Sequence, residues 1–241
     1  MEQFSRPERI TMKTIWLGLM DIFNLERGLG YTLVALTVRP GHAIREYLEE
    51  NRTRLVPPFR FLILTVAIGT FLTVQYFNQS DFFEQFQKGI EQGYNKNEAS
   101  IEDRSKFLEV YMARTTELYN NYFNLFILAG VPIIALTTFW IFRKNMNYAE
   151  HLVINSYLTS YLTVIYILLI PILWITDYWM LSVLYLGLSV VYSGYLYIQL
   201  FGEKIAKGIL KTLLVNFLYY TIYYIVIIAF FIVIVIISIP K

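Results

Sequence analysis

Residues 212–239 read TLLVNFLYYTIYYIVIIAFFIVIVIISI, and not one of them is Asp, Glu, Lys or Arg. In water the Ile, Val, Phe and Tyr of this run would favour a strand. Its length and unbroken apolarity point to a different solvent. A helix needs about 20 apolar residues to cross a hydrocarbon layer of about 30 Å. Inside that layer backbone N–H and C=O groups must pair within the segment or within a closed barrel. A barrel strand alternates apolar and polar residues, and this run does not. The stretch therefore predicts a membrane-spanning helix, long enough to tilt.

Four further runs of this kind lie upstream: Phe59 to Phe77, Phe123 to Phe142, Leu152 to Trp174 with Pro171 inside it, and Trp179 to Phe201. The sequence thus predicts an all-α, polytopic membrane helix bundle of about five transmembrane helices, preceded by N-terminal interfacial helices. Residues 1–58 form the interfacial or re-entrant part and residues 59–241 the membrane domain, with an outer helical loop at 78–122. Composition agrees. Of 241 residues, 56% are hydrophobic and 16% charged, with a mean hydropathy of +0.49; a soluble domain carries about 25% charged residues.

Several chemistries are disfavoured by content alone. A net charge of +2 offers no basic face for nucleic acid. The chain has no cysteine, hence no disulfide, thiolate nucleophile, iron–sulfur ligation or cysteine zinc site. Its two histidines, His42 and His151, are too few for a histidine-rich metal or haem centre, and no metal or cofactor is expected. No phosphate-binding glycine loop and no catalytic triad or zinc-protease motif appears. Residues 1–9 are polar and lead into no cleavable signal, so insertion is expected to rely on the first span.

Orientation follows from the loops. Of the 20 Lys and Arg, 14 fall before the first span or in the second and fourth loops, and 6 on the opposite side. The positive-inside rule then places the N-terminus in the cytoplasm and the C-terminus outside, the expected membrane being a bacterial inner membrane. The first loop is acidic and too long for a simple connection. Residues 81–94 and 102–122 predict two helices there, with a turn at 95–97.

The segment before the first span carries apolar pieces at 11–23, 29–38 and 40–50, the last opening on Pro40, a residue suited to a first helical position. Such pieces suit interfacial or re-entrant helices. Arg39, His42, Arg45, Arg52, Arg54 and Arg60 are candidate contacts for lipid headgroups or another anion. The alternative is plain anchoring, with the arginines paired to Glu46, Glu49 and Glu50.

Leu25-Glu26-Arg27-Gly28, Arg39-Pro40-Gly41, Ile44-Arg45-Glu46-Tyr47-Leu48, Arg52 and Pro57-Pro58-Phe59 together resemble an uncharacterised family of bacterial integral membrane proteins. Members often begin with a cysteine zinc ribbon. That ribbon is absent here, so nothing it does carries over. The resemblance covers mainly residues 10–64 and implies no biochemical activity. Five spans after a cytoplasmic N-terminus are also similar in architecture to the Yip family of membrane-trafficking proteins.

Polar residues within spans are costly in lipid and often functional. Gln75, Asn155, Ser156 and Thr159 form a candidate intramembrane polar cluster, the last three at spacing i, i+1, i+4. The plainer reading is hydrogen bonding between helices and close packing through Gly187, Ser189, Ser193 and Gly194. Tyrosines 185, 192, 195 and 197 of the fourth span and 219, 220, 223 and 224 of the fifth predict two clusters facing each other or a cavity. Glu150 and His151 mark the start of the third span. They would form an acid–base pair only with a positioned substrate.

The function expected from these features is non-enzymatic: a scaffold or accessory subunit that packs against another membrane protein, or a lipid-organising protein, the expected partners being membrane lipids and another membrane protein. Two other classes stay open. A transporter or channel would have the polar faces of the first and third spans line one cavity. A lipid-headgroup-modifying enzyme would have Glu150, His151 and the arginines before Pro57 converge.

Overall fold

The computed structural model describes residues 28–79, 122, 124–143, 146–174 and 178–238. The predicted helices at 11–23, 81–94 and 102–122 and the turn at 95–97 lie outside the described residues. Within them the protein is all helical: α1 (Leu29–Val38), α2 (Pro40–Glu49), α3 (Pro58–Gln79), α4 (Asn124–Phe142), α5 (Tyr148–Leu169), α6 (Tyr178–Phe201) and α7 (Ile205–Ser238). Helices α3 to α7 are each long and apolar enough to cross a membrane. The protein is therefore built as a multi-pass membrane protein. The bundle end where α3, α5 and α7 begin and α4 and α6 finish is here called the proximal end.

Three boundaries differ from the sequence expectation, each for a local chemical reason. The third span starts earlier, at Tyr148, because Asn147 and Glu150 form a reciprocal capping box. Asn147 Oδ1 accepts from the Glu150 N–H at 3.0 Å, and Glu150 Oε2 accepts from the Asn147 N–H at 2.6 Å. Its α-helix stops at Leu169, and residues Ile170–Trp174 continue as a 3₁₀ turn around Pro171, which has no N–H to donate to an α-helical ladder. The last span starts at Ile205 rather than Thr212. Gly202, at φ +59°, lets the chain leave α6 in the left-handed region. Glu203 then takes up the charge of Lys211 at 2.8 Å and Lys207 at 3.8 Å, so the first turns of α7 can carry two lysines.

Helix α5 is the hub. Tyr157, Leu158, Ile154, Asn155 and His151 on it are fully buried. Van der Waals packing and hydrogen bonds between helices, rather than release of water, hold helices together in lipid, and α5 has both. It packs along α3 and meets α4 through Asn155 and His151, which both bond Thr138. It meets α6 through Tyr161 stacked on Tyr192, ring centroids 4.5 Å apart. Helix α7 lies against α6, where Asn216 Nδ2 donates to Ser193 Oγ at 3.2 Å and Gly194 faces Thr212. It also reaches α4, where Tyr223 donates to the Phe126 carbonyl at 3.2 Å. The predicted packing through Ser193 and Gly194 is thus present. At Gly187 a Cβ would meet nothing within 4 Å among the described residues, so no close helix approach requires glycine there.

Helices α1 and α2 form a hairpin docked on this bundle. Arg39 leaves the helical region, at φ −145° and ψ 57°, the α conformation being disfavoured before proline, and Pro40 opens α2. The return from α2 to α3 is an Asx turn in which Asn51 Oδ1 accepts from the Thr53 N–H at 2.9 Å and the Thr53 hydroxyl at 2.6 Å. Gly41 lies so close to Gln199 and the Leu200 backbone that a Cβ there would overlap both. Buried Ala43 and Ile44 continue the contact along α2.

Candidate functional site

The break between α1 and α2 frees carbonyls that have no helical partner, and in a membrane each needs one. Side chains of the bundle supply them. Tyr192 donates to the Leu36 carbonyl at 2.9 Å and Tyr195 to the Val38 carbonyl at 2.5 Å. The Arg39 N–H closes on Ala35. Thr37 and Tyr161 share a hydrogen bond at 2.7 Å. The far end of the hairpin is fastened by Val56, whose N–H donates to Thr32 Oγ1 at 2.9 Å and whose carbonyl accepts from Tyr157 at 2.8 Å.

The six basic candidates separate into three groups. Arg39 and Arg54 converge on one carboxylate: Arg54 Nη1 lies 2.6 Å from Glu46 Oε1 and Arg39 Nη2 3.6 Å from Glu46 Oε2. Arg39 Nη2 also donates to the Tyr31 hydroxyl at 2.9 Å. The Glu46 carboxylate holds the Arg54 guanidinium further above its ordinary pKa. Arg45 turns away and caps the Leu200 carbonyl at the C-terminus of α6, where a cation complements the helix dipole. His42, Arg52 and Arg60 are exposed and make no ion pair among the described residues. Of the three predicted acidic partners, only Glu46 pairs with these arginines among the described residues.

The intramembrane polar candidates also separate. Asn155 is the centre of a buried network. Its Nδ2 donates to Thr138 Oγ1 and to the His151 carbonyl, both at 2.8 Å, and its Oδ1 accepts from Tyr197 at 2.8 Å. His151 Nδ1 shares a bond with Thr138 Oγ1 at 3.1 Å, while its Nε2 is buried without a partner among the described residues. The imidazole stacks on Phe201 and meets the edge of Phe139, both at 5.7 Å between centroids. Ser156 does not join; its hydroxyl bonds back to Leu152. Thr159 only contributes its carbonyl to Thr163. Gln75 is exposed on α3. The four predicted residues are therefore not one cluster.

Sequence reasoning missed Thr138 and Tyr31, and it named Tyr197 in a tyrosine cluster without its partner Asn155. It also missed Glu203, whose side chain is only 5% exposed between two lysines. The predicted tyrosine clusters face each other in part: Tyr219 lies near Tyr185 and Tyr197, and Tyr220 near Tyr185 and Ser189 of α6. Tyr192, Tyr195 and Tyr197 also reach α1 and α5, and Tyr185 packs edge-on against Tyr166 of α5. Tyr223 reaches α4, and Tyr220, Tyr223 and Tyr224 stack along their own helix.

Hairpin, Asx turn and the first half of α3 form one continuous unit at the proximal end. That unit carries the family signal. Residues 26–69 match the family model described as Protein of unknown function (DUF3667). The match is to an uncharacterised family, as the arginine, proline–glycine and arginine–glutamate–tyrosine pattern implied. No curated protein and no solved structure matches the chain.

Proposed function

We propose that the protein is a non-enzymatic scaffold or accessory subunit, a stiff multi-pass body that packs a partner membrane helix against α7, with its proximal end in the cytoplasm. The orientation rests on the excess of Lys and Arg at that end. The observation that carries the scaffold reading is Tyr224. Helix α7 is the longest of the spans, yet only 11% of its apolar window is buried against the rest of the chain, compared with 33–44% for the other four. Lipid alone satisfies an apolar face. A tyrosine hydroxyl away from the interface does not find an acceptor in acyl chains. Tyr224 is 58% exposed and has no hydrogen-bond partner among the described residues. It lies 19 positions into α7, about 28 Å along the helix at 1.5 Å per residue, with apolar residues before and after it.

The reading favours a partner that presents a carbonyl or carboxamide to this face. A photo-crosslinking side chain at position 224, irradiated in native membranes, is expected to give one discrete protein adduct. The same residue at Val183, an equally exposed site on α6, is expected to give none. Lipid adducts alone at position 224 would overturn the proposal.

A further inference from the structure

We infer that the exposed face of α1 and α2 is a binding site for an anionic phospholipid, with Arg39 and Arg54 holding the phosphodiester and the outer stripe of α1 receiving an acyl chain. The inference does not depend on the scaffold reading. It begins with an imbalance of charge. Two guanidiniums face one carboxylate, so the cluster keeps an excess positive charge. Exposure shows which way that charge is aimed: the side chains of Arg39 and Arg54 are 47% and 60% exposed, that of Glu46 17%. The carboxylate lies beneath and the two guanidiniums lie outside it.

Donors remain for a ligand. A guanidinium has five N–H donors. Arg39 uses one on Tyr31, and its 3.6 Å approach to Glu46 is too long for a hydrogen bond. Arg54 uses one on Glu46 at 2.6 Å and another toward the Tyr31 hydroxyl, which leaves three of its five. The free edges of two planar forks beside one another suit the oxygens of a phosphodiester, which guanidinium binds in bidentate fashion. The Tyr31 hydroxyl, already oriented by Arg39, sits at the edge of the same cluster.

The second half of the site is apolar. Tyr31, Val34 and Val38 stand at spacing i, i+3, i+7, so they share one face of α1, and they are 41%, 63% and 64% exposed. This stripe begins at the arginine cluster and runs along α1 to the break fastened by Tyr192 and Tyr195. A free anion would need only the arginines. An ionic head that continues into an apolar track matches an amphiphile. The cluster lies at the proximal end, beside the start of α3, where a headgroup would sit, and exposed Arg52 and Arg60 flank it and add to its attraction for an anionic surface.

The test uses the full chain in mild detergent, with native mass spectrometry reading bound lipid. Phosphatidylglycerol is titrated against phosphatidylcholine of identical chains. The wild type is expected to retain phosphatidylglycerol in preference. Arg39→Gln with Arg54→Gln is expected to weaken it by at least about tenfold, two charge-assisted bonds being lost. Glu46→Gln is expected to strengthen it, since an internal competitor for both guanidiniums is removed; a merely structural bridge would respond to both changes with a loss. Val34→Asp is expected to weaken the lipid while leaving binding of glycerol phosphate unchanged. Thermal unfolding of each variant separates lost affinity from lost fold. No headgroup preference in the wild type, a loss of affinity in a folded Glu46→Gln variant, or glycerol phosphate displacing the lipid at equal concentration would each overturn the inference.

Discussion

Replacing Asn155 by alanine removes a side chain whose hydrogen bonds tie α4, α5 and α6 together. Three hydrogen bonds vanish, to Thr138, to the His151 carbonyl and from Tyr197. Bonds between helices in lipid contribute about 0.6 kcal/mol each and at most about 1.7 kcal/mol, because the separated helices also find partners. The bond to His151 lies within α5 and its carbonyl keeps its helical donor, so two bonds between helices decide the sum. That gives about 1–3.5 kcal/mol. The Tyr197 hydroxyl, fully buried, is left without an acceptor, which adds about 1–3 kcal/mol unless the site relaxes. The expected loss is therefore about 2–6.5 kcal/mol, read by denaturant titration of the reconstituted protein in bicelles. Tyr197→Phe alone leaves Asn155 Oδ1 unmet and should cost about 1 kcal/mol. The double variant should cost less than the sum, with a coupling of about 1 kcal/mol. Gln75→Ala, at an exposed site, is the control and should change stability by less than about 0.5 kcal/mol. Equal effects of Asn155→Ala and Gln75→Ala, or strict additivity of Asn155→Ala with Tyr197→Phe, would refute the reasoning.

Other substitutions test the hairpin and the caps. Gly41→Leu forces a side chain into the Gln199–Leu200 backbone, and limited proteolysis should cut within residues 50–57 many times faster than in the wild type. Tyr192→Phe and Tyr195→Phe each uncover a carbonyl at the α1–α2 break; each should lower stability by about 1 kcal/mol, and together they should raise hydrogen exchange of α1 while leaving that of α5 unchanged. Asn147→Ala breaks the capping box and should cost about 1 kcal/mol, with exchange rising only in the first turn of α5. Lys211→Met removes the partner at 2.8 Å from a nearly buried carboxylate and the cation 5.1 Å above the Phe142 ring. A loss of about 1–3 kcal/mol is expected in a denaturant titration at neutral pH, Lys207 at 3.8 Å still facing the carboxylate.

The five spans were legible because lipid imposes a crude rule of length and apolarity that needs no knowledge of neighbours. Their ends were less legible where a local device outweighs hydropathy. The Asn147–Glu150 box draws four extra residues into α5, and Glu203 lets two lysines enter α7. The polar candidates illustrate a different limit. Asn155 stood out as an amide in an apolar run, but its neighbours in sequence, Ser156 and Thr159, were poor guides. A step of one residue turns a helix by about 100°, so Asn155 and Ser156 face different helices. The partners that matter, Thr138 and Tyr197, are 17 and 42 positions away. Among the arginines, the pattern around residues 39–54 identified the region. Which arginine meets Glu46 and which caps α6 depends on the fold of the hairpin.

The docking of that hairpin has a consequence for how the protein is made. Arg45 closes on the Leu200 carbonyl across 155 positions of chain, and Tyr192 reaches the Leu36 carbonyl across 156. At about 5–20 residues per second, translation needs roughly 8–30 s to deliver α6 after the hairpin has emerged. For that interval the carbonyls at the break lack Tyr192 and Tyr195, Gly41 has no α6 to approach, and Arg39 and Arg54 keep Glu46 and Tyr31 of the hairpin itself. The segment made early in synthesis is thus among the last to be locked. Its burial requires the ribosome to have finished α6, which makes the seating of this hairpin a natural checkpoint for the biogenesis of the whole bundle.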